Sequence, residues 1–331
     1  MSRSVGGPYF DELAVGMSFE TAPAVTLTDG LATSHRAILG DRLRLPLDHE
    51  LSRAVTGSTS PVASPSLVWD VAIGQSTLAT HHVKANLFYR GLRFHRFPHL
   101  GDTLATRTEV VGLRENTPKP DRAPTGLAAL RMTTTDQRGA TVLDFHRCAM
   151  LPLSPAPAAG RRIHDQDLAD IGVADGTDAW LAPDGWDLGE FRARVPSPRT
   201  TGELVGESFM TSGDVVSSAP ELARLTLNIA AVHHDERVGG SRLVYGGHTI
   251  GLALAQLTRA LPNLVTVLGW KSCDHTGPVH EGDTVTSRIE VLSSTALTQG
   301  TAVGLRSVVT AHAPGGDARE VLDWRYTALV A

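Results

Sequence analysis

The chain has 331 residues, a formal net charge of −5 and 41% hydrophobic residues, a composition that fits a globular protein of two domains. The mild acidity and the lack of a Lys/Arg run exclude a basic surface for nucleic acid, and no apolar run approaches the roughly 18 residues of a membrane span. Two cysteines, Cys148 and Cys273, imply no disulfide framework. Since the first residues also lack the apolar segment of a signal peptide, we expect a cytoplasmic protein with no membrane partner.

The first half of the chain predicts a short strand, a polar turn region, an apolar helix and then a run of strands. The strand is "GMSFET" from Gly16, and the helix is "SLVWDVAIGQSTLA" at 66–79. The segments "TLATRTEVVGL", "GLAALRMTTTD" and "TVLDFHRCAML" mix β-branched and polar residues at a period of nearly two, which is typical of antiparallel strands. Because the helix is apolar on nearly all sides, we expect it to be buried on nearly all sides.

A linker is predicted next, because residues 152–187 are rich in Pro, Gly, Ala and Asp and show no sustained apolar period. The segments on either side of it have regular patterns of their own. We therefore expect an N-terminal domain at 1–150, a linker at 151–199 and a C-terminal domain at 200–331.

The second half repeats the first. "GESFMT" from Gly206 matches the opening strand, and "HTIGLALAQLTRAL" at 248–261 matches the apolar helix. The turn Gly101-Asp102-Thr103 matches Gly282-Asp283-Thr284 at an offset of 181 residues (282 − 101 = 181), and "VLDWRYTALV" matches "VLDFHRCAML" near the end of each half. The three sequence repeats, at the opening strand, the Gly-Asp-Thr turn and the closing segment, occur in the same order in both halves and indicate a duplicated domain.

An antiparallel sheet curled around one apolar helix would bury that helix, and this arrangement is the hot-dog fold. The "GDT" turn followed by "EV" resembles the MaoC-like dehydratases and (R)-specific enoyl-CoA hydratases, and "LNIAAVHHDERVGGSRLVYGGH" resembles their double hot-dog subgroup of mesaconyl-CoA hydratases. Uncharacterised double hot-dog proteins of mycobacteria are similar as well. The resemblance implies an α+β double hot-dog fold, with two antiparallel sheets each wrapped around a long apolar helix, and an acyl-CoA hydratase or dehydratase activity.

The resemblance also implies where the catalytic residues lie. The family has an Asp and, five residues later, a His; these positions fall on Asn228 and His233 in the second unit. In the first unit the same positions are Asp41 and Pro46. The pair is therefore split between the units, and the resemblance implies an active site in the second unit and a non-catalytic first unit.

Hydration of an enoyl thioester needs a proton carrier, a group that holds water and donors for the thioester oxygen. A histidine in solution has a pKa near neutrality, so we expect His233 to carry the proton, while Asn228 can only orient water or the imidazole by hydrogen bonds. We expect the oxyanion and substrate-binding donors at Gly246, Gly247 and His248, because the first N–H groups of a helix have no intrahelical acceptor.

Other polar residues nearby have simpler explanations as well. Asp235 either orients an imidazole or forms a turn or an ion pair, and Arg242 is a second candidate for such an outer role. His248 either takes part in catalysis or caps its helix. Cys273 and His275 lack a second pair at ligand spacing, so we expect no metal, and no cofactor beyond the CoA thioester itself.

The leading hypothesis is a hydro-lyase with an acyl-CoA substrate. A non-catalytic acyl-CoA-binding protein is the alternative that Asn228 favours, and an acyl-CoA thioesterase is a third, although helix 248–261 lacks the carboxylate that hydrolysis usually requires. A dicarboxylic acyl group would need a cation, for which Arg242, Arg90 and Arg93 are candidates. The pattern leaves the acyl group open and is compatible with a homodimer.

Overall fold

The structure, a computed structural model, describes residues 6–120, 122–158, 160–173, 180, 182–195 and 202–331. Its elements follow the same order in both halves. The helices are α1 (Asp29–Leu39), α2 (Arg44–Leu47), α3 (His49–Thr56), α4 (Pro65–Gln75), α5 (Gly189–Arg194), α6 (Ala219–Leu225) and α7 (Gly246–Ala260). The strands are β1 (Ser18–Phe19), β2 (Val25–Thr26), β3 (Ala85–Phe94), β4 (Thr103–Glu115), β5 (Thr125–Thr135), β6 (Thr141–Pro152), β7 (Ser208–Met210), β8 (Asp214–Val215), β9 (Leu264–His275), β10 (Thr284–Ala296), β11 (Thr301–His312) and β12 (Ala318–Val330).

The strands form one antiparallel sheet of twelve. Its first half has the order β4-β5-β6-β3 and its second half the order β10-β11-β12-β9, so the two units have the same internal topology. The halves are joined edge to edge by β3 and β9, where Tyr89 lies opposite Cys273. Because β3 and β9 pair with each other, neither strand is left as an exposed sheet edge at the centre of the molecule.

The two apolar helices α4 and α7 occupy the core, as the hot-dog prediction requires. Every residue of α4 is buried, and α7 is buried from Gly247 to Thr258. Pro65 starts α4 at a position where its missing N–H costs nothing, and Pro262 follows the end of α7, where it prevents further helix. No helix in the described ranges is both long enough and apolar enough to cross a membrane.

The described parts of the segment between the two units pack on the outer face of the sheet. Leu168 and Ile171 fill the space above Gly112, and Trp186 and Phe191 belong to a second apolar cluster beside α3. The predicted domain limits at 150 and 200 stay a prediction, but the segment between them adds side chains to the buried interior.

Candidate active site

A cavity of about 300 Å³ lies between the two units, beside the N-terminus of α7. Side chains of both halves form its wall, so neither unit could build it alone. Among the described residues, the polar and aromatic side chains on this wall are Thr77, Lys84, Asn86, Tyr89, Arg147, Asn228, His233, Tyr245, Thr249, His275 and Thr276. Apolar residues such as Val83, Val232 and Val279 make up much of the remaining wall. A mostly apolar cavity with a few polar groups is the usual form of a small-molecule site.

His233 ends a short 3-10 turn and is 8% exposed. Its Nδ1 lies 2.8 Å from the carbonyl oxygen of Leu243. Because a carbonyl can only accept a hydrogen bond, Nδ1 carries the proton and Nε2 is left as the basic nitrogen. Burial is the main cause that lowers the pKa of His233 to about 4. The imidazole is therefore neutral at pH 7 and able to accept a proton.

Asn228 lines the same cavity as His233 and is fixed by hydrogen bonds of its own turn. It follows Leu227, whose φ of 60° turns the chain sharply, and its Oδ1 accepts a hydrogen bond of 3.0 Å from the N–H of Ala230. The ring of His234 donates from Nε2 to the Asn228 carbonyl at 2.6 Å. The side-chain oxygen of Asn228 is occupied by the N–H of Ala230. The side-chain group that Asn228 can offer to a ligand in the cavity is therefore its NH₂ donor.

The three residues predicted as oxyanion donors, at the start of α7, have different surroundings. Gly246 lies on the cavity wall, and a Cβ at this position would lie 2.7 Å from Nε2 of His275. Gly247 faces the other unit, where a Cβ would lie 2.0 Å from Oδ1 of Asp70. The N–H groups of Gly246 and Gly247 are the first two of the helix and have no intrahelical acceptor.

His248 does not have the predicted arrangement. Its N–H donates to the carbonyl of Tyr245 at 2.9 Å, and its ring is fully buried away from the cavity. Burial lowers the pKa of His248 to about 4, so the ring is neutral. The tight turn after Tyr245 therefore uses the N–H of His248, which the sequence had suggested as an oxyanion donor.

Arg147, on strand β6 of the first unit, lines the cavity and was not predicted from the sequence motifs. It is 4% exposed, it donates to Oγ1 of Thr80, and its Nε has no hydrogen-bond partner. Burial lowers its pKa, but a guanidinium remains charged in proteins. Within the described ranges no carboxylate pairs with it, so the cavity contains a buried cation without a counter-charge.

A fully buried carboxylate lies behind Tyr245. Asp70 is on α4, and its Oδ2 lies 2.9 Å from Nε2 of His35 while its Oδ1 accepts the Tyr245 hydroxyl at 3.1 Å. Burial raises the pKa of Asp70. The hydrogen bond joins α4 to Tyr245, the residue that precedes α7. Asp70 therefore supports the site without lining the cavity.

The outer residues predicted for the site lie elsewhere. Asp235 pairs with Arg237 at 2.7 Å, which lowers its pKa to about 2, and the partner that orients His233 is the Leu243 carbonyl instead. Arg242 lies 3.5 Å from Glu281 and does not line the cavity. Of the predicted cations, Arg90 donates to the carbonyl of Ala169 and lies over the ring of Phe88, and Arg93 lies over the ring of Trp180.

The corresponding turn of the first unit has no histidine. Oδ1 of Asp41 accepts from the N–H of Leu43 at 2.9 Å, the same turn that Asn228 makes with Ala230. Its Oδ2 accepts the hydroxyl of Ser64 at 2.5 Å. Across the described residues there is also no cluster of three or more His, Cys, Asp or Glu that could hold a metal.

The chain was compared with known protein families, proteins and structures. No family model matches the chain. The structure of the conserved hypothetical protein Rv0216 from Mycobacterium tuberculosis, which has a double hot-dog fold, is 60% identical, covers 99% of both chains and superposes with a TM-score of 0.92. A β-methylmalyl-CoA dehydratase from Chloroflexus aurantiacus is 28% identical over 98% of this chain and 97% of its own. A mesaconyl-CoA hydratase from Cereibacter sphaeroides is 27% identical over 88% and 84%.

Proposed function

The chain belongs to the MaoC-like double hot-dog proteins, and we propose that it is a hydro-lyase that adds water to, or removes it from, an acyl-CoA thioester. Relatives named as CoA hydratases and dehydratases support the general activity. The observation that carries the proposal is the position of His233. Its neutral ring lies in the wall of the same cavity as the free N–H end of α7.

The chemistry follows from these two features. In hydration, Nε2 of His233 takes a proton from a water molecule as the water oxygen forms a bond to the β-carbon. The π electrons move toward the thioester, and the enolate oxygen accepts hydrogen bonds from the N–H groups at the start of α7, where the helix dipole favours negative charge. The proton held by the imidazole is then transferred to the α-carbon, which restores the neutral histidine. Dehydration runs through the same steps in reverse.

The amide of Asn228 replaces the family's carboxylate in this scheme. A neutral amide cannot remove a proton from water, so His233 is the proton carrier. The NH₂ group of Asn228 can donate to the oxygen of the attacking water and hold it against the imidazole. This division of roles explains how a site without the carboxylate can still carry out the reaction.

A basic groove beside the cavity supports a CoA substrate. Lys84 lines both the cavity and an adjoining groove, which Lys119 and Arg122 also line. CoA carries a pyrophosphate and a 3′-phosphate, and cations bind such groups through charge-assisted hydrogen bonds. The pantetheine arm would then pass Lys84 into the cavity and bring the thioester to α7.

The guanidinium of Arg147 supports an acyl group that carries a carboxylate. A buried cation without a counter-charge is costly to the fold, and a carboxylate in the ligand would neutralise it through paired hydrogen bonds. The volume of about 300 Å³ suits a short acyl group. We therefore propose a short-chain dicarboxylic enoyl-CoA, or its hydroxy product, as the substrate.

Two alternatives make different predictions. A thioesterase would need an accessible carboxylate on a central helix, and Asp70 is fully buried and bonded to His35 and Tyr245. A non-catalytic binding protein would use the same cavity and groove but would release no product. Product analysis separates all three functions.

The experiment is a panel of enoyl-CoA thioesters followed at the absorbance of the conjugated thioester. It should include mesaconyl-CoA with a carboxylate and crotonyl-CoA without one. We expect loss of absorbance with the carboxylated substrate, without release of free CoA. The exposed residue His312 provides a control variant, His312→Ala, that should keep full activity. Binding of every thioester without turnover would overturn the hydro-lyase proposal, and release of free CoA would favour hydrolysis.

A further inference from the structure

A second cavity of about 1080 Å³ lies at the position that corresponds to the candidate active site. Asp41 in this cavity corresponds to Asn228, since each side chain accepts from the N–H two residues later and each follows a residue with positive φ, Gly40 or Leu227. Thr258 and Leu264 also line the second cavity, and they lie 181 residues after Thr77 and Val83 of the first cavity. The duplication has therefore kept a cavity in each half.

The second cavity cannot carry out the proton transfers of the first. Pro46 occupies the position of the catalytic histidine. The carboxylate of Asp41 accepts hydrogen bonds from Leu43 and Ser64, so it is already occupied. A cavity that has been kept without its acid–base residues can still bind a ligand.

The charge on this cavity differs from that of the protein as a whole. The whole chain has a formal net charge of −5, but among the described residues that line the second cavity five are arginines and two are aspartates. The arginines are Arg36, Arg42, Arg44, Arg194 and Arg259. Two of them are paired, one with Asp48 at 3.5 Å and one with Asp214 at 2.6 Å. Within the described residues the other three form no ion pair, so three cations remain available to a ligand.

The floor of the same cavity is apolar. Leu43, Leu51, Leu261 and Leu264 contribute to it, and Leu47 is 43% exposed at its edge. A cleft with cations on its rim and leucines on its floor suits a ligand that has both anionic groups and a flat apolar part. A simple inorganic anion would use the rim alone.

We propose that this arginine cleft, defined by the five arginines above, binds a nucleotide that carries two or more phosphate groups. Arginine is well suited to phosphate because its planar guanidinium donates paired hydrogen bonds. The base and ribose would lie on the leucine floor, and a cleft of this volume can hold a molecule of that size. Both a free nucleotide and the 3′-phospho-ADP end of a CoA molecule have this chemistry. The inference does not depend on the hydro-lyase proposal, since it concerns a different site.

The test is calorimetric titration of the full chain with ADP, with 3′,5′-ADP and with inorganic pyrophosphate. We expect both nucleotides to bind, and pyrophosphate to bind at least about tenfold more weakly because it cannot use the floor. Arg42→Ala and Arg44→Ala should each weaken nucleotide binding by about tenfold, and higher ionic strength should weaken it further. Both side chains are exposed, so an unchanged thermal midpoint is expected and should be checked.

The control is Arg131→Ala, which removes an exposed arginine that pairs with Asp144 at 3.0 Å and lines neither cavity. It should leave the affinity for both nucleotides unchanged. Preference for 3′,5′-ADP over ADP would identify the end of CoA as the ligand, and equal affinity would identify nucleotides in general. The proposal is overturned if no nucleotide binds at millimolar concentration, if pyrophosphate binds as tightly as ADP, or if Arg42→Ala and Arg44→Ala weaken binding no more than Arg131→Ala does.

Discussion

Replacing Arg147 by methionine should make the protein more stable and its site less effective. The guanidinium is 4% exposed, has an unpaired Nε and faces no carboxylate in the described part of the chain. An unpaired buried donor costs about 1–3 kcal/mol, and the desolvated charge adds to that cost. Loss of the hydrogen bonds to Thr80 and to the Tyr89 hydroxyl offsets part of it, by about 1 kcal/mol each. We therefore expect Arg147→Met to raise the free energy of unfolding by about 1–3 kcal/mol.

The same substitution should lower kcat/KM for a carboxylated enoyl-CoA. Hydrogen bonds to a charged group contribute about 1.5–3 kcal/mol, which corresponds to a loss of about 10- to 150-fold. Activity on an enoyl-CoA without the carboxylate should change by only a few-fold.

Urea unfolding and initial rates measure both effects in one preparation. Arg131→Met is the matched control, because Arg131 is an exposed arginine paired with Asp144 at 3.0 Å on the outer side of the sheet. It should change stability by less than about 1 kcal/mol and leave kcat/KM unchanged. Destabilisation by Arg147→Met, or equal losses on both substrates, would show that the cation has a structural or general catalytic role and would refute the reasoning.

Further predictions concern the catalytic pair, the first unit and pH. His233→Ala should lose about 10²–10⁴ in kcat and still bind acyl-CoA in calorimetry, whereas Asn228→Asp should keep activity because a carboxylate at this position matches the family pattern. Asp41→Asn should leave turnover within a few-fold of wild type. A loss comparable to that of His233→Ala would show that the active site has been assigned to the wrong unit. Burial lowers the pKa values of His233, His248 and His275 to about 4, below the unfolded value of about 6.5. Between about pH 4 and pH 6.5 the unfolded chain therefore binds more protons than the folded chain does. Urea titrations should show a free energy of unfolding that is highest above about pH 6.5 and falls toward pH 4. A constant free energy of unfolding across this range would contradict the burial of neutral rings.

The fold was predictable because its signals are local and occur twice. The apolar pattern at 66–79 and 248–261 requires burial on all sides, and the repeated Gly-Asp-Thr turn sets the register of the two copies. The charged residue of the first helix, Asp70, gave no indication of its partners, since His35 and Tyr245 approach it from elements far away in the sequence.

The candidate site was predictable only in part. Asn228, His233 and Gly246 lie within one short segment, and the cavity wall includes all three. Arg147 comes from the other unit, so its place in the cavity depends on how the two sheets pair. A signal was present, because Arg147 shares the inward face of β6 with Phe145 and Ala149, and a charge on an apolar face requires a partner or a ligand.

The backbone details at the start of α7 could not be read from the sequence. A Gly-Gly-His motif offers three N–H groups, and the tight turn at Tyr245 uses that of His248. Likewise, Asp235 could have faced either His233 or Arg237, and the side chain pairs with Arg237 because both lie in the same exposed turn. Such choices depend on turn geometry within a few residues, which composition does not determine.

The most direct test of the central claim is incorporation of oxygen-18 from labelled water into the product of a carboxylated enoyl-CoA, measured by mass spectrometry for wild type and for His233→Ala. If His233 activates water for addition to the double bond, the wild-type product gains one labelled water in its acyl part with the thioester intact. The variant, which still binds the substrate, should show incorporation lower by about 10²-fold or more. Equal incorporation by both proteins, or label that appears only in a free acid released from CoA, would contradict the account.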